Sequence, residues 1–551
     1  MIGAPIISIF LVVGSVTDPV NVTKMFALTA VAFSCLSLII LRGTSYLWRQ
    51  HRIILLVITA FVVFATSAVV NSNSPFAQNF YGLYGRNTGL LTYLGLASIL
   101  LGALFIEVGA NFKKILFGFY AAGALNLIYC AWVLAFGDFV GWYNPYGNIL
   151  GLLGNPDFIA AFLGMFITSV IAYALGTGVS AKFRIFSALV WLVGFYEILM
   201  SHAQQGLIVA LGGLGIVLLF KTISIRNAKF FSIFFGGAFL VVGILAVLGT
   251  LQKGPFTFLY KKSVSLRGTY WKSGIEMGQS HPFTGVGMDS YGDWYRRTRP
   301  ANALVDMPGV NTTSNVSHNV VIDMFSSGGY PLLISYLAMI LLGSLAIVKF
   351  LKIQREYDKV FVAVSSAWLC YEVQSVISIN QIGLAIWGWL FTGLMLSYVR
   401  NVNNQTKYEI TKKASPRSRK NESRESLISN NLIAGIGLVV GAFIAFPPLS
   451  ADTKWFSATT SHSLPQVEAA LTPSFMNPLS SYRFAEGVNL LDSSKLPDYA
   501  YKFAKAGVKF NPEYFDAWKQ LYFLSPSASE KELALSNMNR LDPKNPDVTA
   551  P

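Results

Sequence analysis

Charged side chains are scarce in this sequence: 13% of its 551 residues are Asp, Glu, Lys or Arg, against 53% hydrophobic. So little charge on so long a chain excludes a soluble globular fold and makes this an all-α polytopic membrane protein. Cysteine is rarer still. Cys35, Cys130 and Cys370 are an odd three, each inside an apolar segment, so neither a disulfide framework nor a cysteine-ligated metal is supported, and they read as small packing residues. The long polar loop lacks an Asp-x-Asp pair and any His/Cys grouping with ligand spacing, so no metal and no other cofactor is expected. Met1 to Val16 lacks a basic stretch and a small-residue cleavage site, and is expected to form a short first membrane helix and not a removable signal.

What is present is a series of apolar runs. About thirteen spanning helices can be placed, at about 2–16, 24–41, 53–71, 88–106, 115–136, 156–176, 185–200, 206–220, 230–250, 330–348, 360–379, 383–399 and 430–447. With the N-terminus cytoplasmic, the inside connections carry 22 of the 42 Lys and Arg, whereas the short outside connections carry only Lys24 and Arg86. That asymmetry fits the positive-inside rule and places the long loop and the C-terminal region outside. The expected division is a membrane domain over 1–399 with an extracytoplasmic catalytic loop at 252–329, a basic cytoplasmic linker at 400–429, a final transmembrane helix at 430–448, and an extracytoplasmic helical domain at 449–551. The linker reads as disordered, its cations fixing topology and attracting lipid; it has no aromatic interleaving, so no nucleic acid is implied.

The long loop holds the one concentration of chemistry. Lys253, Lys261, Lys262, Arg267, Lys272, Arg296, Arg297 and Arg299 face only Glu276, Asp289, Asp293 and Asp306, and the loop closes on Ser317-His318-Asn319. A cationic loop ending in histidine and held against a bilayer suits a polyanionic lipid head group such as a diphosphate. Arg86, the sole arginine of the short outside loops, is either a snorkelling anchor or a ligand contact. Aromatic and glycine-rich stretches, Phe80 to Asn87 and Trp142 to Asp157, read as interfacial belts or as the floor of a sugar cleft. Residues 449–551 have ordinary soluble character, with 10 basic and 11 acidic side chains. Their helices end at Asn511-Pro512 and again at Asp542-Pro543, a spacing similar to degenerate tetratricopeptide pairs, which implies a docking module for a protein partner.

Several of these stretches together resemble the bacterial O-antigen ligase and polymerase superfamily: Gly85-Arg86-Asn87-Thr88-Gly89, Gly154-Asn155-Pro156-Asp157-Phe158, Arg267-Gly268-Thr269-Tyr270-Trp271, His281-Pro282-Phe283-Thr284-Gly285-Val286-Gly287, Ser317-His318-Asn319 and Gly328-Gly329-Tyr330-Pro331. The resemblance covers roughly residues 80–400. It implies metal-independent transfer of a glycan from an undecaprenyl diphosphate carrier to a hydroxyl of a lipid core, a glycan chain or a protein, at the outer face of the bacterial inner membrane. By the same resemblance Arg267 and His318 are the catalytic pair. Substrate-binding candidates are Arg86, Arg296, Arg297, Arg299, Lys272, Asn319 and Gln205. The sequence departs from the family at Ser201-His202-Ala203-Gln204-Gln205-Gly206, where an arginine is usual, and at Gly328-x-x-Pro331, where a second glycine is usual. Chemistry supplies its own rationale: a guanidinium stabilises a departing diphosphate with paired donors, and a histidine near neutrality accepts the proton of an acceptor hydroxyl, the more readily if Ser317 or Asn319 caps the helix that follows. Readings of other classes are a protein O-oligosaccharyltransferase, a flippase for lipid-linked sugar, which wants paired ionisable groups inside helices and here finds only Glu197 and Glu372, and a non-catalytic envelope scaffold.

Overall fold

The computed structural model describes residues 3–142, 144, 147–225, 228–250, 253–257, 266–354, 356–412, 429–461 and 463–549. Lys261, Lys262, the aromatics Tyr143 and Tyr146, and residues 413–428 of the basic linker lie outside the described residues. The fold is helical, with no strand among the described residues. The membrane part begins with α1 (Ala4–Ile9), α2 (Asn21–Leu38), α3 (Thr44–Val70), α4 (Phe76–Tyr81), α5 (Leu90–Ala103) and α6 (Ala110–Phe136). It continues with α7 (Pro156–Ala174), α8 (Ala181–Met200), α9 (Gln204–Ile223) and α10 (Lys229–Thr250). The long loop carries α11 (Arg267–Ser280), α12 (Tyr291–Thr298) and α13 (Ala303–Asp306), followed by α14 (Val320–Ile353), α15 (Lys359–Ser375), α16 (Ile382–Lys412) and α17 (Asn430–Ser461). Beyond them lie α18 (Leu464–Leu471), α19 (Ser481–Ser493), α20 (Pro497–Phe510), α21 (Phe515–Leu524), α22 (Ala528–Leu541) and α23 (Pro546–Thr549).

Eight helices among the described residues are long and apolar enough to cross a bilayer, so the expected thirteen are not reached by that measure. The first expected span is only the six residues of α1, because Phe10 turns to extended backbone and Lys24 Nζ donates to the carbonyls of Ser8 and Phe10, at 3.1 and 3.0 Å. The spans expected at 24–41 and 53–71 lie in one helical run, Asn21–Val70, that passes through a π-turn at Ile39–Gly43 and breaks at His51. The first part of the expected linker is not irregular: α16 continues to Lys412, since Arg400 to Lys412 contains neither Gly nor Pro.

Burial sorts the helices. α7 and the membrane part of α16 are enclosed on nearly all sides, whereas α8 turns Ile185, Phe186, Leu189 and Leu192 outward, as a lipid-facing helix does. The last membrane helix, α17, lies along α2 through Gly437 and Gly441, where a Cβ would stand 2.4 and 2.5 Å from the carbonyl oxygens of Phe33 and Thr29. Four-residue spacing of small residues is what lets two helices approach this closely. α17 then carries Asp452 and Trp455 into the C-terminal region, where α19 packs on α20 and α21 on α22.

An introduced cysteine at Asn302 is expected to react with a membrane-impermeant thiol reagent in intact cells, in a background lacking Cys35, Cys130 and Cys370, while one at Ser418 is protected. Labelling at Ser418 would reverse the orientation read from the charge asymmetry.

Candidate functional site

At one end of the bundle the 82–89 turn, the start of α7, the 286–291 segment, the first turns of α14 and the Ile379–Gln381 turn meet around a narrow cavity of about 40 Å³. Arg86 lines it, beside Asn21, Thr88, Tyr93, Asp323 and Asn380. The turn that presents Arg86 is organised by Asp289, whose carboxylate accepts the backbone N–H of Leu83 (2.9 Å) and Thr88 (3.1 Å) and the hydroxyl of Thr88 (2.9 Å). Held this way, Arg86 buries an Nη1 that has no hydrogen-bond partner among the described residues. Burial pulls the guanidinium pKa below its ordinary value, and Asp289 and Asp323 pull it back up. A fixed guanidinium with a free donor inside a cavity is arranged to meet an oxyanion.

His318 does not itself line this cavity, but it follows the lining residues Asn315 and Val316 and lies within the field of Arg86. It sits at φ 58°, in the left-handed region that a non-glycine residue occupies only when its surroundings hold it there. They do so on both sides. The backbone N–H and the hydroxyl of Ser317 donate to Asp323 at 2.8 and 2.7 Å, and the Asn319 side chain accepts the N–H of Val321 and Ile322, capping α14. The ring of Tyr270 stacks on the imidazole, with centroids 5.6 Å apart, and Tyr291, a cavity residue, donates to the Tyr270 carbonyl at 2.6 Å. Burial, and next the positive charges of Arg86 and Arg267, lower the His318 pKa to about 3, so the imidazole is neutral at pH 7.

Arg267 opens α11. Its guanidinium reaches the Ile377 carbonyl and forms an ion pair with Asp157 at 3.8 Å. Gln205 takes part indirectly: its Nε2 donates to the Asp157 carbonyl at 2.6 Å, and its buried Oε1 has no partner among the described residues. Asp157 starts α7, after the Asn155 cap and Pro156. Arg86, Arg267, His318 and Gln205, scattered over more than 200 positions, therefore converge on one end of the bundle.

The remaining candidates are placed elsewhere. Arg296 and Arg299, on and just after α12, share the fully buried Asp542 of the C-terminal region, at 3.2 and 2.7 Å. Arg297 pairs with Glu513 at 2.6 Å and lies over the Trp294 ring. These three cations lock the loop to residues 449–551, and none lines the Arg86 cavity. Sequence reading counted them with the ligand-binding charges because their acidic partners lie more than 200 residues away. Lys272 is exposed on α11, and the Asn319 oxygen is occupied as a helix cap. The His281-Pro282-x-x-Gly285-x-Gly287 turn is a clamp: Val286 and Gly287 donate to the carbonyls of Ser326 and Ser327, and Tyr330 donates back to Pro282. It fits only because α14 breaks at Gly328 and Gly329, and a Cβ on Gly329 would stand 2.3 Å from the Pro282 carbonyl. The Pro331 departure thus falls just after a kink, where its missing N–H costs little.

Sequence reading missed Asp289, Asp323 and Asp157 as positioning groups. Asp157 stood in a quoted motif; Asp289 and Asp323 carried no signal beyond following a glycine turn and a histidine. A second buried network extends from the C-terminal region toward Arg86. Asn511 donates to Asp293 (3.0 Å) and to Ser481 (2.7 Å), while Gln78 donates to Asp293 and to the Asp289 carbonyl, both at 3.1 Å. Burial raises the Asp293 pKa, against the donors Ser74, Asn511 and Gln78. Asn511 and Asp542, the two punctuation residues of the C-terminal helices, thus both dock on the α12 region. Glu197 and Glu372 form no ion pair, and no group of three or more His, Cys, Asp or Glu suited to a metal occurs, among the described residues.

The site thus belongs to a helical membrane protein in which two arginines and a neutral histidine lie close together at one end of the bundle. Residues 188–337 match the family model for O-antigen ligase, a stretch that contains Arg267 and His318 but neither Arg86 nor the C-terminal helices. That match supports the O-antigen ligase and polymerase superfamily and, in general terms, glycan transfer in envelope polysaccharide synthesis. No curated protein matches the chain.

Proposed function

We propose that the protein transfers a glycan from an undecaprenyl diphosphate carrier to a hydroxyl acceptor at the outer face of the bacterial inner membrane. The observation that carries this reading is the placement of the His318 imidazole within the field of two guanidiniums, Arg86 and Arg267, where Arg86 lines the cavity and buries an Nη1 with no partner among the described residues. The arginines hold the diphosphate. His318 takes the proton of the acceptor hydroxyl as its oxygen attacks the anomeric carbon, the bond from that carbon to the diphosphate oxygen breaks, and the lipid diphosphate leaves with the electron pair and its charge stabilised by the guanidiniums. A bound diphosphate offsets both cations, so the His318 pKa rises in the donor complex and the base strengthens when the donor is seated, while burial, the larger cause of the lowering, still holds it below its ordinary value. The C-terminal helices, tied to α12 and through Gln78 to the Arg86 turn, hold the loop in register for this reaction.

The test is lipid diphosphate binding to purified protein. Arg86→Lys and Arg267→Lys are each expected to weaken binding by roughly 10-fold or more, because an ammonium cannot reproduce paired charge-assisted donors of about 1.5 to 3 kcal/mol each. Wild-type affinity in both lysine variants would leave the arginines a diffuse or structural role and remove the basis of the proposal.

A further inference from the structure

The opposite end of the bundle carries a second pocket that glycan transfer does not use. It is a cleft of about 390 Å³ between the start of α3, the end of α14 and α16. Arg49, Arg52, Lys349 and Arg400 line it, with His51, and no Asp or Glu does so among the described residues. Apart from Gln50 and Asn403 the remaining lining is apolar, with Leu342 and Leu345 on α14. Two irregularities shape this end of α3: the π-turn at Ile39–Gly43 and the non-helical backbone of His51, at φ −141° and ψ 32°. Such breaks persist where the local geometry serves a site. Arg400 is fixed by Tyr46 Oη, by His51 Nε2 at 3.0 Å and by Asn401 at 3.1 Å, yet its buried Nε has no partner among the described residues.

Four cations with no Asp or Glu among the described lining residues, carried by α3, α14 and α16 beside leucines of α14 and α16, match an amphiphile that is anionic at one end and hydrocarbon at the other. We propose that this cleft binds the phosphodiester head group of an anionic phospholipid, with its acyl chains along α14. The shared chemistry is a phosphate group, so the source must be read by experiment. Free inorganic phosphate needs only the cations, whereas a phospholipid also needs the apolar wall.

Full-length protein stripped of lipid in neutral detergent is titrated with cardiolipin, phosphatidylcholine or inorganic phosphate, and bound species are counted by native mass spectrometry. Saturable binding of cardiolipin over phosphatidylcholine is expected, with a loss of roughly 100-fold in Arg49→Gln/Arg52→Gln/Lys349→Gln, from about fivefold for each basic residue near a membrane surface. Lys349→Gln alone, an exposed position, is expected to lose about fivefold, which keeps the test valid if the triple variant fails to fold. Lys113→Gln/Lys114→Gln removes exposed charge outside the cleft and is expected to leave binding unchanged. Equal losses in that control would reduce the effect to diffuse attraction and overturn the site. Saturation by inorganic phosphate with no preference for cardiolipin would overturn the lipid assignment.

Discussion

His318→Ala lowers glycan transfer by about 100- to 10,000-fold, the range a positioned general base contributes, and leaves lipid diphosphate binding largely intact. In the proposed mechanism the two effects separate because different residues carry them: Arg86 and Arg267 are assigned to the diphosphate, and the imidazole to the acceptor. The pH dependence carries a second signature. Protonation removes the base, so the rate falls as pH falls through the His318 pKa. In the free protein that pKa lies at about 3, held down by burial and by the two arginines. Across pH 5 to 8, a window set around the ordinary histidine value of roughly 6.5, kcat/KM therefore has no acidic limb from His318. In the donor complex the diphosphate offsets the arginine field but not the burial, so the acidic limb of kcat is expected at a higher pH than that of kcat/KM, yet still below the ordinary histidine value of about 6.5. A histidine that only hydrogen-bonds the acceptor behaves otherwise: His318→Gln then keeps turnover and both limbs stay as they were.

Asp542→Ala destabilises the protein by about 3 to 5 kcal/mol, because it leaves Arg299 buried without its carboxylate and Arg296 with only the longer pair to Asp516, at 3.5 Å. Asp542 is wholly inaccessible, and the Arg299 and Arg296 side chains are 1% and 7% exposed, so water cannot take over the lost interaction. Arg299 also donates to the Val310 carbonyl, and Lys544 donates to the Arg299 carbonyl, which ties the loop to the last helices from both sides. The desolvation of the cations, more than the attraction of the pair, sets the magnitude. Asp542→Ala combined with Arg296→Met and Arg299→Met recovers much of the loss, since apolar groups of similar volume replace a buried ion cluster at small cost. Thermal or denaturant unfolding of the purified variants measures both. An Asp542→Ala protein within about 0.5 kcal/mol of wild type, the range of an ordinary surface substitution, would mean that the C-terminal region is not docked as described.

The helical class and the expected end of the loop, Ser317-His318-Asn319 ahead of a capped helix, were legible because they depend on local pattern: apolar runs, a capping asparagine and the start of α14 at Val320. Arg86 stood out as an isolated charge, and it does line the cavity. The fate of Arg296, Arg297 and Arg299 was not legible. A basic cluster in a loop looks the same whether it faces a diphosphate or the carboxylates of a distant domain, and Asp542 and Glu513 lie more than 200 residues further along. The expected thirteen spans and the eight long apolar helices differ where length and hydropathy part company. α1 stops after six residues because Lys24 satisfies carbonyls near its end, and α5 is apolar but only 14 residues long.

Direct transfer is the measurement that bears most closely on the whole account. Purified protein is incubated with undecaprenyl diphosphate carrying a labelled oligosaccharide, together with lipid-core, glycan and peptide hydroxyl acceptors, and label on the acceptor and released undecaprenyl diphosphate are both quantified. The account predicts that one acceptor class gains label in equal amount to the lipid diphosphate released, and that His318→Ala abolishes both while still binding donor. A folded wild-type protein that binds the donor but transfers label to none of the three classes, or a His318→Ala variant that transfers at the wild-type rate, would contradict it.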